Sequence, residues 1–82
     1  MQYADYFKGK KVTVMGLGLL GRGVGDALFL AEMEAEVIVT DLKTEEELAT
    51  SVAQLSSFSN MTFVLGEHRF ADFENRDFIL CP

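Results

Sequence analysis

Short apolar runs rich in β-branched residues recur along the chain, separated by segments of mixed polarity. Residues 11–15, 36–40 and 61–65 are such runs, and each stops at a glycine or an aspartate. Runs of this length and composition that end in a turn residue are typical of buried strands. We predict β-strands at these three positions and a fourth strand at residues 77–81.

The segment between the first two strands has helical periodicity. Apolar residues recur at three- and four-residue spacing over residues 24–31, while Asp26 and Glu32 supply a polar side. This pattern predicts a helix from about Gly21 to residues 33–35. A strand, a helix and a strand in so short a span predict a right-handed parallel unit.

A second helix is predicted over residues 45–56, because Thr44 and Glu47 have the spacing of a capping box and an apolar stripe follows. Residues 67–76 are polar and predict a short helix or an ordered loop. The order of elements is that of one half of a doubly wound sheet. We therefore predict an α/β fold: a single small Rossmann-like domain over residues 1–82, with a parallel sheet of four or more strands and flanking helices.

Composition and charge narrow the class of protein. The 82 residues are 49% apolar, enough for one modest core, and the net charge of -6 argues against binding to nucleic acid. No apolar run approaches the roughly 20 residues that cross a bilayer. We expect a cytoplasmic monomer that does not associate with membranes. Cys81, the single cysteine, is interpreted as a buried free thiol, and Pro82, directly after an apolar strand, suggests a fragment of a longer protein.

The strongest motif is Gly16-x-Gly18-x-x-Gly21, between the first strand and the first helix. Asp41 ends the second strand 20 residues after Gly21, which matches the dinucleotide-binding fingerprint. Gly16 would allow the tight turn, Gly18 would let an anion approach the main chain, and Gly21 would let the helix pack close to the strand. Free N–H groups at the helix start would then face a phosphate. The alternative is that these glycines only pack the helix against the sheet.

Charged residues near this turn have two interpretations each. Arg22 and Lys43 fall where the carboxyl ends of the strands open, and each either contacts a phosphate or is simply solvated. Asp41 could accept hydrogen bonds from a nucleotide, or it could form an Asx turn or a cap on the loop before Thr44. Gly23 and Gly25 are explained by close backbone packing.

No catalytic set is visible in the sequence. His68 is the only histidine, and no serine or cysteine stands in a recognisable arrangement with it. The ligands of a zinc site are lacking, and a GxxxxGK[ST] phosphate loop is absent. We predict that this chain by itself has no catalytic residue, no bound cofactor and no metal site.

Four stretches together resemble the N-terminal domain of the Mur ligases: FKGKKVTVMGLGLLGRG, AEVIVTDLK, GEH and DFILCP. The resemblance covers nearly the whole chain. It implies a Rossmann-like domain that binds the UDP part of UDP-N-acetylmuramoyl-L-alanine, with the diphosphate on the glycine turn and the uracil and ribose near the end of the second strand. The implied UDP-binding residues are Gly16, Gly18, Leu19, Leu20, Gly21, Arg22, Asp41, Leu42 and Lys43.

The resemblance also implies what the chain lacks. The family's central domain, which binds ATP with Mg²⁺, and its C-terminal amino-acid-binding domain have no counterpart here, so the reaction that adds D-glutamate would belong to a longer parent. Leu20 and Leu42 stand where the family often has polar contacts to phosphate and uracil. Two other hypotheses remain open: an NAD-binding half of an oxidoreductase, and a structural Rossmann-like module without a ligand.

Overall fold

The strands predicted from the sequence form one sheet. The structure is a computed structural model that describes residues 3–17 and 22–81, and the statements below concern these residues. Along the chain they form α1 (Tyr3–Phe7), β1 (Lys11–Met15), α2 (Arg22–Glu32), β2 (Glu36–Asp41), α3 (Ala49–Leu55), β3 (Met61–Leu65), a 3-10 helix (Phe70–Phe73) and β4 (Phe78–Leu80).

The sheet is parallel throughout, in the order β3-β2-β1-β4. Val12 of β1 aligns with Val37 of β2 on one side and with Phe78 of β4 on the other. After β3 the chain therefore crosses to the far side of β1, and the strand order reverses there. This arrangement confirms the predicted α/β fold, and such a reversal is where open parallel sheets hold ligands, beyond the carboxyl ends of the strands.

The main core lies between the sheet and the two longer helices. Alternate residues of the central strands point to this face and are fully buried, while α2 packs against them and against α3. Burial of a valine or leucine side chain contributes roughly 1.5–3 kcal/mol, so this layer supplies most of the stabilising free energy. The largest apolar side chains that are fully buried in the layer are Val12, Val14, Leu17, Val37, Val39 and Leu55.

A polar network covers the opposite face of β1. Thr13, which lies between two core valines in the strand, is fully buried and donates its hydroxyl hydrogen to the carbonyl of Asp72. Arg76 Nε donates to the same Thr13 oxygen at 3.0 Å. Arg69 holds the buried Asp72 carboxylate through two hydrogen bonds of 2.9 Å each. The β3–β4 connection is thereby fixed to the sheet by hydrogen bonds.

This network makes stability depend on pH. The hydrogen bond from Arg69 lowers the pKa of Asp72 below its usual 3.8, against the opposing effect of burial. A carboxyl with a depressed pKa stabilises the folded state above its unfolded pKa, and that contribution disappears as the pH falls. We expect the urea concentration at the midpoint of unfolding to decrease when the pH is lowered below about 4. The Asp72→Asn variant should show a smaller decrease than wild type. The control is Asp26→Asn, at an exposed position of α2, which should leave the pH dependence of the urea midpoint unchanged. If wild type and Asp72→Asn show the same pH dependence, the prediction is contradicted.

Two sequence expectations need correction, and one element was missed. The α-helix predicted over residues 45–56 covers only Ala49–Leu55, although the capping box forms, with Thr44 N donating to Glu47 Oε1 at 3.1 Å. Residues 45–48 form a turn that precedes the helix. Cys81 is exposed, and it directly follows the edge strand β4. The short α1 was not anticipated from the sequence.

Within the part of the chain that the structure describes, no helix has the length and apolar character required to cross a membrane.

Candidate functional site

The predicted turn after β1 begins at Gly16, which has a φ of +93°. Only glycine adopts this region without strain, so the residue type is explained by the backbone. The Gly16 amide donates to the carbonyl of Thr40 at 2.6 Å, extending the β1–β2 ladder one residue past β1. The chain then leaves the sheet at Leu17, whose side chain is fully buried.

The centre of the motif lies outside the described residues. Gly18, Leu19, Leu20 and Gly21 fall in this gap, and their predicted contacts with a diphosphate stay predictions. Arg22 is the first residue of α2.

Close packing of α2 against the turn occurs at Gly23. Its amide donates to the Leu17 carbonyl at 2.9 Å, and a Cβ at this position would overlap the main chain of Gly16 and Leu17. Close backbone packing is thus confirmed for Gly23. It is wrong for Gly25, where a Cβ would meet no atom within 4 Å.

Asp41 connects two loops at the carboxyl edge of the sheet. Its Oδ2 accepts a hydrogen bond from the Leu17 amide at 3.0 Å, and its Oδ1 accepts one from the Lys43 amide at 2.9 Å. The second bond is the Asx turn that the sequence offered as an alternative. The residue is only 9% exposed. We call this set, the Asp41 carboxylate with the amides of Leu17 and Lys43, the Asp41 junction.

A third loop, after β3, joins the same edge. Gly66 has a φ of +84°, and its amide lies between the carbonyls of Asp41 and Lys43, at 2.8 and 2.9 Å. His68 Nδ1 lies 2.9 Å from the buried Thr40 hydroxyl. These contacts of Gly66 and His68 were not predicted from the sequence. The available signal was Gly66 directly after an apolar strand.

The surface of this edge combines exposed groups with a shallow cavity. Lys43 is exposed, and Leu42 is 67% exposed. Beside them a cavity of about 270 Å³ opens between the segment that precedes α3, α3 itself and β3. A second cavity of about 260 Å³ is almost wholly apolar and lies between α1, α2 and β4, so it does not belong to this site. The first cavity is lined by Thr44, Glu45, Val52, Phe63 and Leu65.

In the described ranges, histidine, cysteine, aspartate and glutamate side chains form no group of three or more that could hold a metal ion.

Comparison with known proteins identifies relatives of this chain. No family model matches it. Over 73 residues, 89% of the chain, it is 44% identical to the UDP-N-acetylmuramoylalanine–D-glutamate ligase of Treponema pallidum. Enzymes with the same name from Borreliella burgdorferi and Roseiflexus sp. are 42% and 44% identical over 93% and 88% of the chain. The chain is a homologue of the Mur ligases.

The chain spans 14%, 17% and 15% of the length of these three relatives. The identity of 42–44% over most of the chain confirms the family resemblance that the glycine turn, the end of β2 and the last strand indicated. This homologue of the Mur ligases therefore aligns with only a part of each of these enzymes.

Proposed function

We propose that this chain binds the UDP moiety of UDP-N-acetylmuramoyl-L-alanine, as the N-terminal domain of an ATP-dependent ligase that adds D-glutamate during peptidoglycan precursor synthesis. The observation that supports this most is the identity of 42–44% with ligases of that name. The geometry adds support, because the turn after β1 and the loop after β2 are joined at the edge where parallel sheets bind nucleotides.

The proposed binding mode follows from the charges at this edge. Helix α2 has 11 residues and no acidic residue in its first turn, so its dipole would favour an anion at its start. The diphosphate would then lie on the main chain of residues 18–21. Lys43 and Leu42 would lie near the uracil and ribose, with the exposed ammonium of Lys43 offsetting negative charge.

The reaction itself would belong to a longer parent. ATP and Mg²⁺, which the resemblance assigns to that parent, do not fit the residues present: the sequence has no GxxxxGK[ST] loop, and the described residues form no metal-ligating group. We therefore derive no catalytic step on this chain. The cytoplasmic location and the monomeric state are part of the same proposal.

Titration of the ¹⁵N-labelled chain with UDP and with NADH tests the proposal. We expect UDP to bind more tightly, with amide shifts concentrated at Leu17, Arg22 and Lys43. Tighter binding of NADH would favour the oxidoreductase hypothesis. No shift with either nucleotide would favour the purely structural module. Either of these two results would overturn the proposal.

A pair of lysine variants adds a matched control. Lys43→Ala should weaken UDP binding several-fold, since one exposed charge contributes up to about 1 kcal/mol. Lys8→Ala removes the same charge before β1, at the other end of the sheet, and should leave the affinity unchanged. Equal losses in the two variants would indicate a nonspecific charge effect.

A further inference from the structure

The Asp41 junction joins two segments that are distant in the sequence. Leu17 and Asp41 are 24 residues apart, and their hydrogen bond of 3.0 Å is buried. The second carboxylate oxygen holds the Lys43 amide at 2.9 Å. Each oxygen thus already accepts a main-chain hydrogen, and the residue is 9% exposed.

We propose that Asp41 is a positioning residue, which acts on the nucleotide through the main chain of the β1 turn and the β2 loop. This inference rests on the proposed function and gives Asp41 a different role from the direct contact with ribose or uracil that the sequence suggested. By holding the Leu17 amide, the carboxylate fixes the second residue of the turn after β1. By holding the Lys43 amide, it fixes the loop that carries the exposed cation.

The surrounding hydrogen bonds make this junction rigid. The Asp41 carbonyl accepts from Gly66, and the Thr40 carbonyl accepts from Gly16. The main chain on both sides of the carboxylate is therefore fixed by the sheet. A fixed carboxylate can orient two loops before the ligand arrives, and such preorganisation lowers the entropic cost of binding.

Asp41→Asn is the decisive variant. The amide keeps one acceptor oxygen and the shape of the side chain, but its NH₂ group cannot accept the second main-chain hydrogen. In the free protein we expect hydrogen exchange at Leu17 or Lys43 to accelerate by about tenfold, and the Kd for UDP to rise by about tenfold, as for the loss of one hydrogen bond to a charged group. Asp41→Glu is the second variant: it keeps the charge, displaces the oxygens by one methylene, and should show the same two effects.

Asp77→Asn is the matched control. Asp77 Oδ2 accepts from the Lys11 amide at 2.8 Å, which is the same kind of bond at the opposite end of β1. This variant should accelerate exchange at Lys11 and leave the Kd for UDP unchanged.

The outcomes separate the two proposals. A raised Kd with unchanged exchange at Leu17 and Lys43 would show that Asp41 contacts the ligand directly, and it would overturn the positioning role. Faster exchange with an unchanged Kd would overturn it as well, and so would an equal loss of affinity in Asp77→Asn. Wild-type protein that fails to bind UDP would overturn the proposed function and the ligand-positioning role with it, while the exchange rates alone would still report whether the carboxylate holds the loops.

Discussion

Gly23→Ala is expected to destabilise the protein by about 3 kcal/mol, at the upper end of the range for overpacking a well-packed site. A Cβ at this position would overlap the carbonyl oxygen of Gly16 and the Cα of Leu17, and would lie 2.8 Å from the Leu17 carbonyl carbon. These are main-chain atoms that cannot rotate away, so α2 or the turn has to move. The change should appear as a lower urea midpoint and as large amide shifts at Gly16 and Leu17.

Gly25→Ala is the matched control, two residues further along the same helix. A Cβ there has no atom within 4 Å, and alanine is favoured over glycine in a helix interior by about 1 kcal/mol. We expect this variant to be more stable than wild type. A Gly23→Ala protein as stable as wild type would contradict the close approach of α2 to the turn.

Arg76→Met should destabilise the protein by about 3 kcal/mol, because hydrogen bonds to charged groups are worth roughly 1.5–3 kcal/mol each and their losses are not additive. The guanidinium donates to the Thr13 hydroxyl at 3.0 Å and to the carbonyls of Val12 and Glu36 at 2.9 and 3.0 Å. It thus connects the segment before β4 to two strands. Urea unfolding monitored by circular dichroism measures the effect.

Two variants serve as controls for this prediction. Lys8→Met removes the same charge from an exposed position and should change stability by less than about 0.5 kcal/mol. Arg76→Lys keeps the charge but lacks the planar fork, so it should recover only part of the loss. If Arg76→Met unfolds at the same urea concentration as Lys8→Met, the three hydrogen bonds do not contribute to stability.

Most of the fold could be predicted from local patterns. The β-branched runs give strands because stiff branched side chains suit a pleated, buried surface, and the spacing over residues 24–31 gives one apolar helix face. Strand β1 and the start and end of α2 agree with prediction to within a few residues. The second helix is shorter than predicted, since a capping box fixes local hydrogen bonds but not the number of turns that follow.

The candidate site was predictable only in part. Gly16 needs a positive φ, and that requirement is local, so the sequence pattern identified it. Close backbone packing was predicted for both Gly23 and Gly25 but occurs only at Gly23, because the distance between helix and turn depends on how the helix packs on the sheet. Asp41 was identified by its place at the end of β2, but the partners of its carboxylate were not.

The sequence alone determined the order of the four strands and the two longer helices, the position of the glycine turn and the resemblance to the Mur ligases, because each of these depends on residues that are neighbours in the chain. Only the tertiary structure decided which side chains meet at the carboxyl edge of the sheet and on the face of β1 opposite the main core. Asp41 reaches Leu17 across 24 residues, and Arg76 reaches Thr13 across 63. Such pairs depend on strand order and register, and these are fixed by burial of the whole core, not by any local pattern.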